Sequence, residues 1–408
     1  MQTTQHPARA GTQDFALRHP LLIALALSMG TVVALGVARF SYALLLAPMR
    51  ADLGWPYLVA GGMNTGNALG YLLGALVTPL LMRRYQAHRV LIGGAFGTAL
   101  LTFIPGFVTD TAAQLSLRVV TGIASAFIFV AGGLLVSRLA ALHPQRAGLL
   151  LGLYYGGTGI GIALASLLVP PVMQAAAAHG AAHPWQWAWL LLGALALAAS
   201  VFMSLPVRHI PSPAAQAAAR GSFRARSLMF GLLGYLMFGL GYIGYMTFVI
   251  ALLKEEGMAP ERITLFFTLL GVATFASSRI WARMLDRFRG GQSLAILNAL
   301  LCAATLLPAF TTQPAAVFAS GILFGACFLS AVASTTAMVR HNLPQADWPA
   351  GISAFTIIFA AGQIVGPTIV GWIADGAGGL QRGLIFSALT LLAGALLAWR
   401  QQALPKPA

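Results

Sequence analysis

The chain has 408 residues, of which 58% are apolar and only 8% charged, with a formal net charge of +15. So few charges cannot solvate the surface of a globular protein this long, and the apolar residues gather in blocks of about twenty or more, which excludes a soluble protein and indicates repeated crossing of a membrane. The basic residues lie in short stretches between the blocks rather than in one patch, which excludes nucleic acid as their partner.

Residues 1–19 read as a short polar tail, because the block after them is too long for a signal sequence and lacks a cleavage-like exit. That first block, 20–49, holds one charge, Arg39, within Gly36-Val37-Ala38-Arg39-Phe40-Ser41-Tyr42. An unpaired arginine near mid-membrane costs about 3 kcal/mol on insertion scales, so something must compensate it. Two readings stand. Arg39 faces a wet cavity and binds an anion, or it reaches the interface, which lies about 15 Å along a helix axis if the span ends at Met49. On an α-helix Gly36, Arg39 and Tyr42 would share one face.

Further blocks follow at 57–82, 89–108, 111–137, 147–174, 185–206, 228–253, 261–282, 292–311, 314–339, 349–374 and 382–399, twelve in all. In the second, Asn64, Asn67, Tyr71 and Gly74 lie at helical spacing; the amides either glue helices together or coordinate a substrate. In the fourth, Arg118 begins eight residues after Asp110. Two arginines at similar depth repel each other unless an anion or water separates them; the alternative is that Arg118 is tied to backbone carbonyls or polar neighbours. Phe238, Tyr242 and Tyr245 form an aromatic stripe in the seventh block, and Gln363 shares a face with Phe359 and Thr356 in the eleventh. These are either a substrate wall or plain core.

Several strings point away from other chemistry. Gly239-Leu240-Gly241-Tyr242-Ile243-Gly244 spells a dinucleotide fingerprint but lies inside an apolar block with no strand before it, so it reads as helix packing. Cys302 and Cys327 both sit in apolar blocks and read as small core residues. The histidines lie outside the blocks, so no metal site or cofactor is expected, and no hydrolase motif is present. All nine acids, Asp14, Asp52, Asp110, Glu255, Glu256, Glu261, Asp286, Asp347 and Asp375, lie at or beyond block ends.

With the N-terminus inside, eighteen basic residues fall in cytoplasmic segments and four outside, which places both termini in the cytoplasm. Residues 207–226, rich in Pro, Ala and Arg, read as a cytoplasmic linker between six spans and six. A shift of 203 positions brings Tyr42 onto Tyr245, Gly54 onto Gly257, Gly122 onto Gly325 and Gly159 onto Gly362, the mark of a duplicated unit. The expected fold is an all-α membrane protein with twelve transmembrane helices in two pseudo-symmetric lobes, 20–206 and 227–400, a tail at 401–408 and a site between the lobes.

These features resemble the major facilitator superfamily along nearly the whole chain. Gly74 and Arg83-Arg84 match the motif after span 2, although Thr78 stands where that motif has an acid. The loop after span 8 keeps the acid, as Asp286-Arg287. Arg118-Val119-Val120-Thr121-Gly122 is similar to the family's proton-coupling motif. Gly152-Leu153-Tyr154-Tyr155-Gly156-Gly157-Thr158-Gly159 is similar to the glycine-rich span 5 of antiporters, without its proline. The strings around Arg39, Asp52-Leu53-Gly54-Trp55 and Asn64 to Tyr71 look most like the YbfB/YjiJ-type branch.

The resemblance implies a monomeric transporter coupled to protons, with Gly74, Arg83, Arg84, Arg118, Asp286 and Arg287 in coupling or gating. Candidate substrate-binding residues are Arg39, Tyr42, Asn64, Asn67, Arg118, Tyr155, Tyr242, Tyr245 and Gln363. With no acid inside the spans, the expected substrate is a small organic anion or amphipathic acid, and the alternative is efflux of neutral or lipophilic compounds. The excess of Arg over Lys and the Ala-, Gly- and Leu-rich composition fit the inner membrane of a bacterium.

Overall fold

The computed structural model describes residues 15–210, 225–344 and 347–404. Most of the polar tail, the centre of the expected linker (211–224) and the last four residues lie outside the described residues. Twelve helices long and apolar enough to cross a membrane fall on the twelve expected blocks: α1 Pro20–Leu53, α2 Tyr57–Arg84, α3 Ala87–Phe107, α4 Thr111–Leu142, α5 Pro144–Ala178, α6 Pro184–His209, α7 Ala225–Glu255, α8 Pro260–Arg287, α9 Gln292–Phe310, α10 Pro314–Asn342, α11 Ala350–Ala374 and α12 Gly379–Trp399. No strand occurs among the described residues. A membrane permits this because helices satisfy their own backbone groups internally.

Local sequence sets the helix ends. Asp110 caps α4, accepting a hydrogen bond from the Ala113 amide at 2.7 Å. Proline opens α6, α8 and α10, where its missing N–H costs nothing. Helix α1 runs four residues past the expected end at Met49, because nothing stops it until Gly54, whose left-handed conformation (φ 65°) terminates it.

Helix α1 also departs from regular winding. Val32–Phe40 forms a π-helix, and the Ser41 amide donates to the Gly36 carbonyl five residues back at 3.1 Å. The expected common face of Gly36, Arg39 and Tyr42 assumed α-helical spacing, and the wider turn sends the three to different neighbours. Gly36 packs backbone to backbone on Gly161 of α5. Tyr42 turns to α2, where its hydroxyl donates to the Ala60 carbonyl at 2.9 Å.

Helix pairing is duplicated. In the first half α1 packs on α5 and α6, α2 on α4, and α3 on α4 and α6; in the second half α7 packs on α11 and α12, α8 on α10, and α9 on α10 and α12. The repeat extends to single atoms. A methyl group on Gly122 of α4 would lie 2.1 Å from the Asn67 carbonyl of α2, and one on Gly325 of α10 would lie 2.3 Å from the Leu270 carbonyl of α8. Both members of the second pair follow those of the first by 203 positions.

The halves meet through α2 against α11, α5 against α8, and α1 against α7. Hydrogen bonds between them lie at mid-bundle and toward the end opposite the described termini. Thr65 Oγ1 of α2 donates to the Ile364 carbonyl of α11 at 2.7 Å, and Ser166 of α5 to the Thr264 carbonyl of α8 at 2.7 Å. At the outermost turn Asp375 accepts from the amides of Tyr57 and Leu58 at 2.7 and 2.8 Å. Among the described residues no hydrogen bond ties the halves together at the other end.

Candidate functional site

The two arginines of the first half lie near each other in the bundle, both buried, with Arg39 5% and Arg118 3% exposed. Their surroundings differ. Arg118, on α4, donates from Nη1 to the Ala38 carbonyl and from Nη2 to Oδ1 of Asn64, each at 2.8 Å, leaving only Nε over. Its guanidinium also lies 4.8 Å from the centre of the Tyr42 ring, a cation–π contact. The Ala38 carbonyl it uses belongs to the π-helical stretch of α1, so the unusual winding and the arginine's partner are one feature.

Asn64 extends this network to the other half. Its Nδ2 donates to Oγ1 of Thr247 on α7 at 2.8 Å, and Thr247 in turn donates to the Ile243 carbonyl at 2.6 Å. One chain of hydrogen bonds therefore joins α1, α4, α2 and α7. Asn67 has a different task, donating from Nδ2 to the Arg118 carbonyl at 3.1 Å where α2 and α4 cross at closest approach.

Arg39 has no hydrogen bond or ion pair among the described residues, and its Nη2 is buried with nothing to donate to. It has only rings beside it: Phe40 at 5.8 Å and Tyr71 of α2 at 5.7 Å from the guanidinium carbon. Phe129 of α4 stands 6.1 Å from Tyr71 and 5.8 Å from Tyr155 of α5. Tyr155 is 39% exposed and is not part of the sealed core.

The second half supplies a wall of rings. Tyr235, Phe238, Tyr242, Phe328 and Phe359 form a chain of stacked pairs, with centroids 4.8 to 6.1 Å apart and planes 9° to 18° from parallel. Gln363 donates to the Tyr242 hydroxyl and fixes that ring. Phe40 meets the wall edge-on, 5.8 Å from Phe328, so the aromatic residue next to Arg39 touches the opposite half. Tyr245 joins the wall through Phe324, on which it stacks at 4.0 Å and 16° and which lies 5.8 Å from Phe328, while its hydroxyl shares a hydrogen bond with Oγ of Ser320 at 2.6 Å.

The expected gating residues are spread out. Gly74 packs against the Ile123 carbonyl of α4, and Thr78 donates back to the Gly74 carbonyl at 2.7 Å. Arg83, Arg84, Asp286 and Arg287 are exposed, and no ion pair joins them among the described residues. At the opposite end Tyr57 donates to Glu255 of α7 while the Arg50 guanidinium lies 3.7 Å from the Tyr57 ring centre. Thr247, the Ala38 carbonyl and the cap made by Asp375 were not among the expected site residues. Nothing in composition marks the first two; for Asp375 the only sequence signal is an acid just beyond a span.

Twelve helices in two matched halves define a membrane transporter of the major facilitator class, not an enzyme. More narrowly, the chain belongs to the family described as the uncharacterised MFS-type transporter YbfB, whose profile matches residues 31–399. A putative tartrate transporter of Agrobacterium vitis is 24% identical over 383 residues, covering 86% of each chain. A chloramphenicol resistance protein of Streptomyces lividans is 25% identical over 381 residues, 88% of this chain and 92% of that one. Among solved structures, the nucleoside transporter NupG superposes with a TM-score of 0.69 at 12% identity, covering 93% of this chain and all of that one, a likeness of fold.

Proposed function

We propose that the chain is a secondary active transporter of a small organic anion, working by alternating access around the cleft that holds Arg39. The observation that carries this reading is the unpartnered guanidinium, buried beside the junction of the two halves. A buried cation with no counter-charge is costly, and an arriving carboxylate is the group that relieves it. Arg118 is the contrasting case: both its terminal nitrogens donate, to the Ala38 carbonyl and to Asn64, so its role in this reading is to hold α1, α2 and α4 in place around the site.

Proton coupling runs through the substrate rather than the protein. The described acids sit at helix ends and turns, away from Arg39, so an acid that enters with its proton or releases it at the site would supply the coupled charge. The relative described as a tartrate transporter supports an organic acid. The side with both termini is the cytoplasmic one, by the distribution of basic residues, in a bacterial inner membrane.

A second reading, efflux of neutral lipophilic compounds, draws on the aromatic wall and on the relative described as a chloramphenicol resistance protein. The test is transport in proteoliposomes loaded with organic acids under an imposed pH gradient. Wild-type protein is expected to accumulate an acid and Arg39→Gln to lose at least about 90% of the rate, the loss of a charge-assisted contact. Equal rates in the two proteins would sink the anion reading in favour of efflux.

A further inference from the structure

We propose a second binding site, separate from Arg39: a crevice at the end of the bundle opposite the described termini, which takes a single-chain aliphatic acid with its carboxylate on Lys254 and its chain between the two halves. The cavity measures about 280 Å³ and draws its lining from α1 and α5 of the first half and from α7, α8 and the turn between them in the second. Its buried members Leu44, Val169 and Ile263 are apolar, and the partly covered Met173 and Met258 add adaptable apolar walls. Gln174 and Lys254 are exposed members of the same lining. The crevice is therefore apolar where it is covered and polar where it is open, the pattern that suits an amphiphile.

The head group follows from charge. Helix α7 ends at Glu255, the chain turns through Gly257 in the left-handed region (φ 76°), and the regular part of α8 starts at Pro260, which brings Lys254 and the first turn of α8 to one cavity. The acids near Lys254 in sequence are engaged or outside the lining: Glu255 accepts from the Tyr57 hydroxyl, Glu256 accepts from Gln381 at 3.4 Å, and Glu261 is exposed and does not line the crevice. No ion pair or side-chain hydrogen bond holds Lys254 among the described residues. An ammonium beside the positive end of a helix favours an anion over a neutral or cationic head. The tail follows from size. At about 280 Å³ the cavity lies at the small end of ligand pockets, roughly 300 to 1,000 Å³, which suits one short chain and not a two-chain lipid. Because both halves line it, the crevice keeps this shape only while they stay together at this end.

The test is the melting shift of the purified full-length protein with decanoate, decanol and butyrate titrated separately, which gives apparent affinities by mass action. Decanoate is expected to bind tightest, decanol about tenfold more weakly for want of a charge, and butyrate at least about tenfold more weakly for want of a chain. Lys254→Gln, a change at an exposed side chain, should erase the preference for decanoate over decanol, and Arg39→Gln should leave that preference intact. Uptake of the probes by detergent is common to all three proteins, so the differences between them read the site. If decanoate gives no shift, or decanol or butyrate matches it in the wild type, the crevice recognises no aliphatic acid and the proposal falls. It falls equally if the preference survives Lys254→Gln or is lost in Arg39→Gln; the latter result would put the acid at Arg39 and so favour the anion reading of the transport site.

Discussion

Asp375, just past the end of α11, caps the first turn of α2: its two carboxylate oxygens accept from the amides of Tyr57 and Leu58 at 2.7 and 2.8 Å. A helix start has unpaired amides and partial positive charge, so an acid is favoured there, and here it comes from the other half of the molecule. The cap exists only while the two halves are closed at this end. Asp375→Ala should favour opening by about 1 kcal/mol, a roughly fivefold change in population. Distances between spin labels on the outer ends of α2 and α11 would lengthen in the variant; an unchanged distribution would mean the cap is incidental to closure.

The two buried arginines should respond in opposite directions to neutral replacement. Arg39→Met removes a charge that nothing in the described structure balances, and unfolding stability should rise by about 2 kcal/mol. Arg118→Met leaves the Ala38 carbonyl and Asn64 Oδ1 without a donor and should lower it by about 3 kcal/mol. Thermal melting of the two variants beside wild type checks both signs. A loss of stability in Arg39→Met would reveal a partner for that guanidinium.

The bond from Asn64 to Thr247 crosses between the halves and hangs on Arg118. Asn64→Ala and Thr247→Val should therefore be non-additive, with a coupling energy of about 1 kcal/mol in a double-mutant cycle on stability. The same cycle between Asn67→Ala and Thr247→Val should give none, since Asn67 bonds to α4 instead.

Close helix approach makes another sharp prediction. Alanine at Gly122 or Gly325 would set a methyl 2.1 or 2.3 Å from a backbone carbonyl that cannot move aside, at a cost of about 3 kcal/mol each. Both variants should give little monodisperse protein after detergent extraction. Gly62→Ala, which meets nothing within 4 Å, should behave as wild type.

Hydropathy alone located twelve helices, because a membrane leaves a chain few other ways to satisfy its backbone. The repeat and Arg39 were legible for a similar reason: a fixed offset and a lone charge both stand out against an apolar background. What the sequence left open was which arginine is free. That depends on the Ala38 carbonyl meeting Arg118, hence on the π-winding of Val32–Phe40, and no residue type announces such a turn. The Thr247 partner of Asn64 lies 183 positions away, and the cap of α2 lies 318 away at Asp375. Contacts of that span leave no trace in periodicity or composition.

The winding of α1 sets the two halves apart. Gly36, where α1 touches α5, stands 203 positions before Gly239, where α7 touches α11. The 203-position register therefore holds at the contact of Gly36 with α5, within the π-helical stretch of α1, where each hydrogen bond spans five residues instead of four. The asymmetry between two duplicated halves, one with a free cation and one with a wall of rings, begins at that change of pitch, which carries Arg39 and turns the Ala38 carbonyl to Arg118.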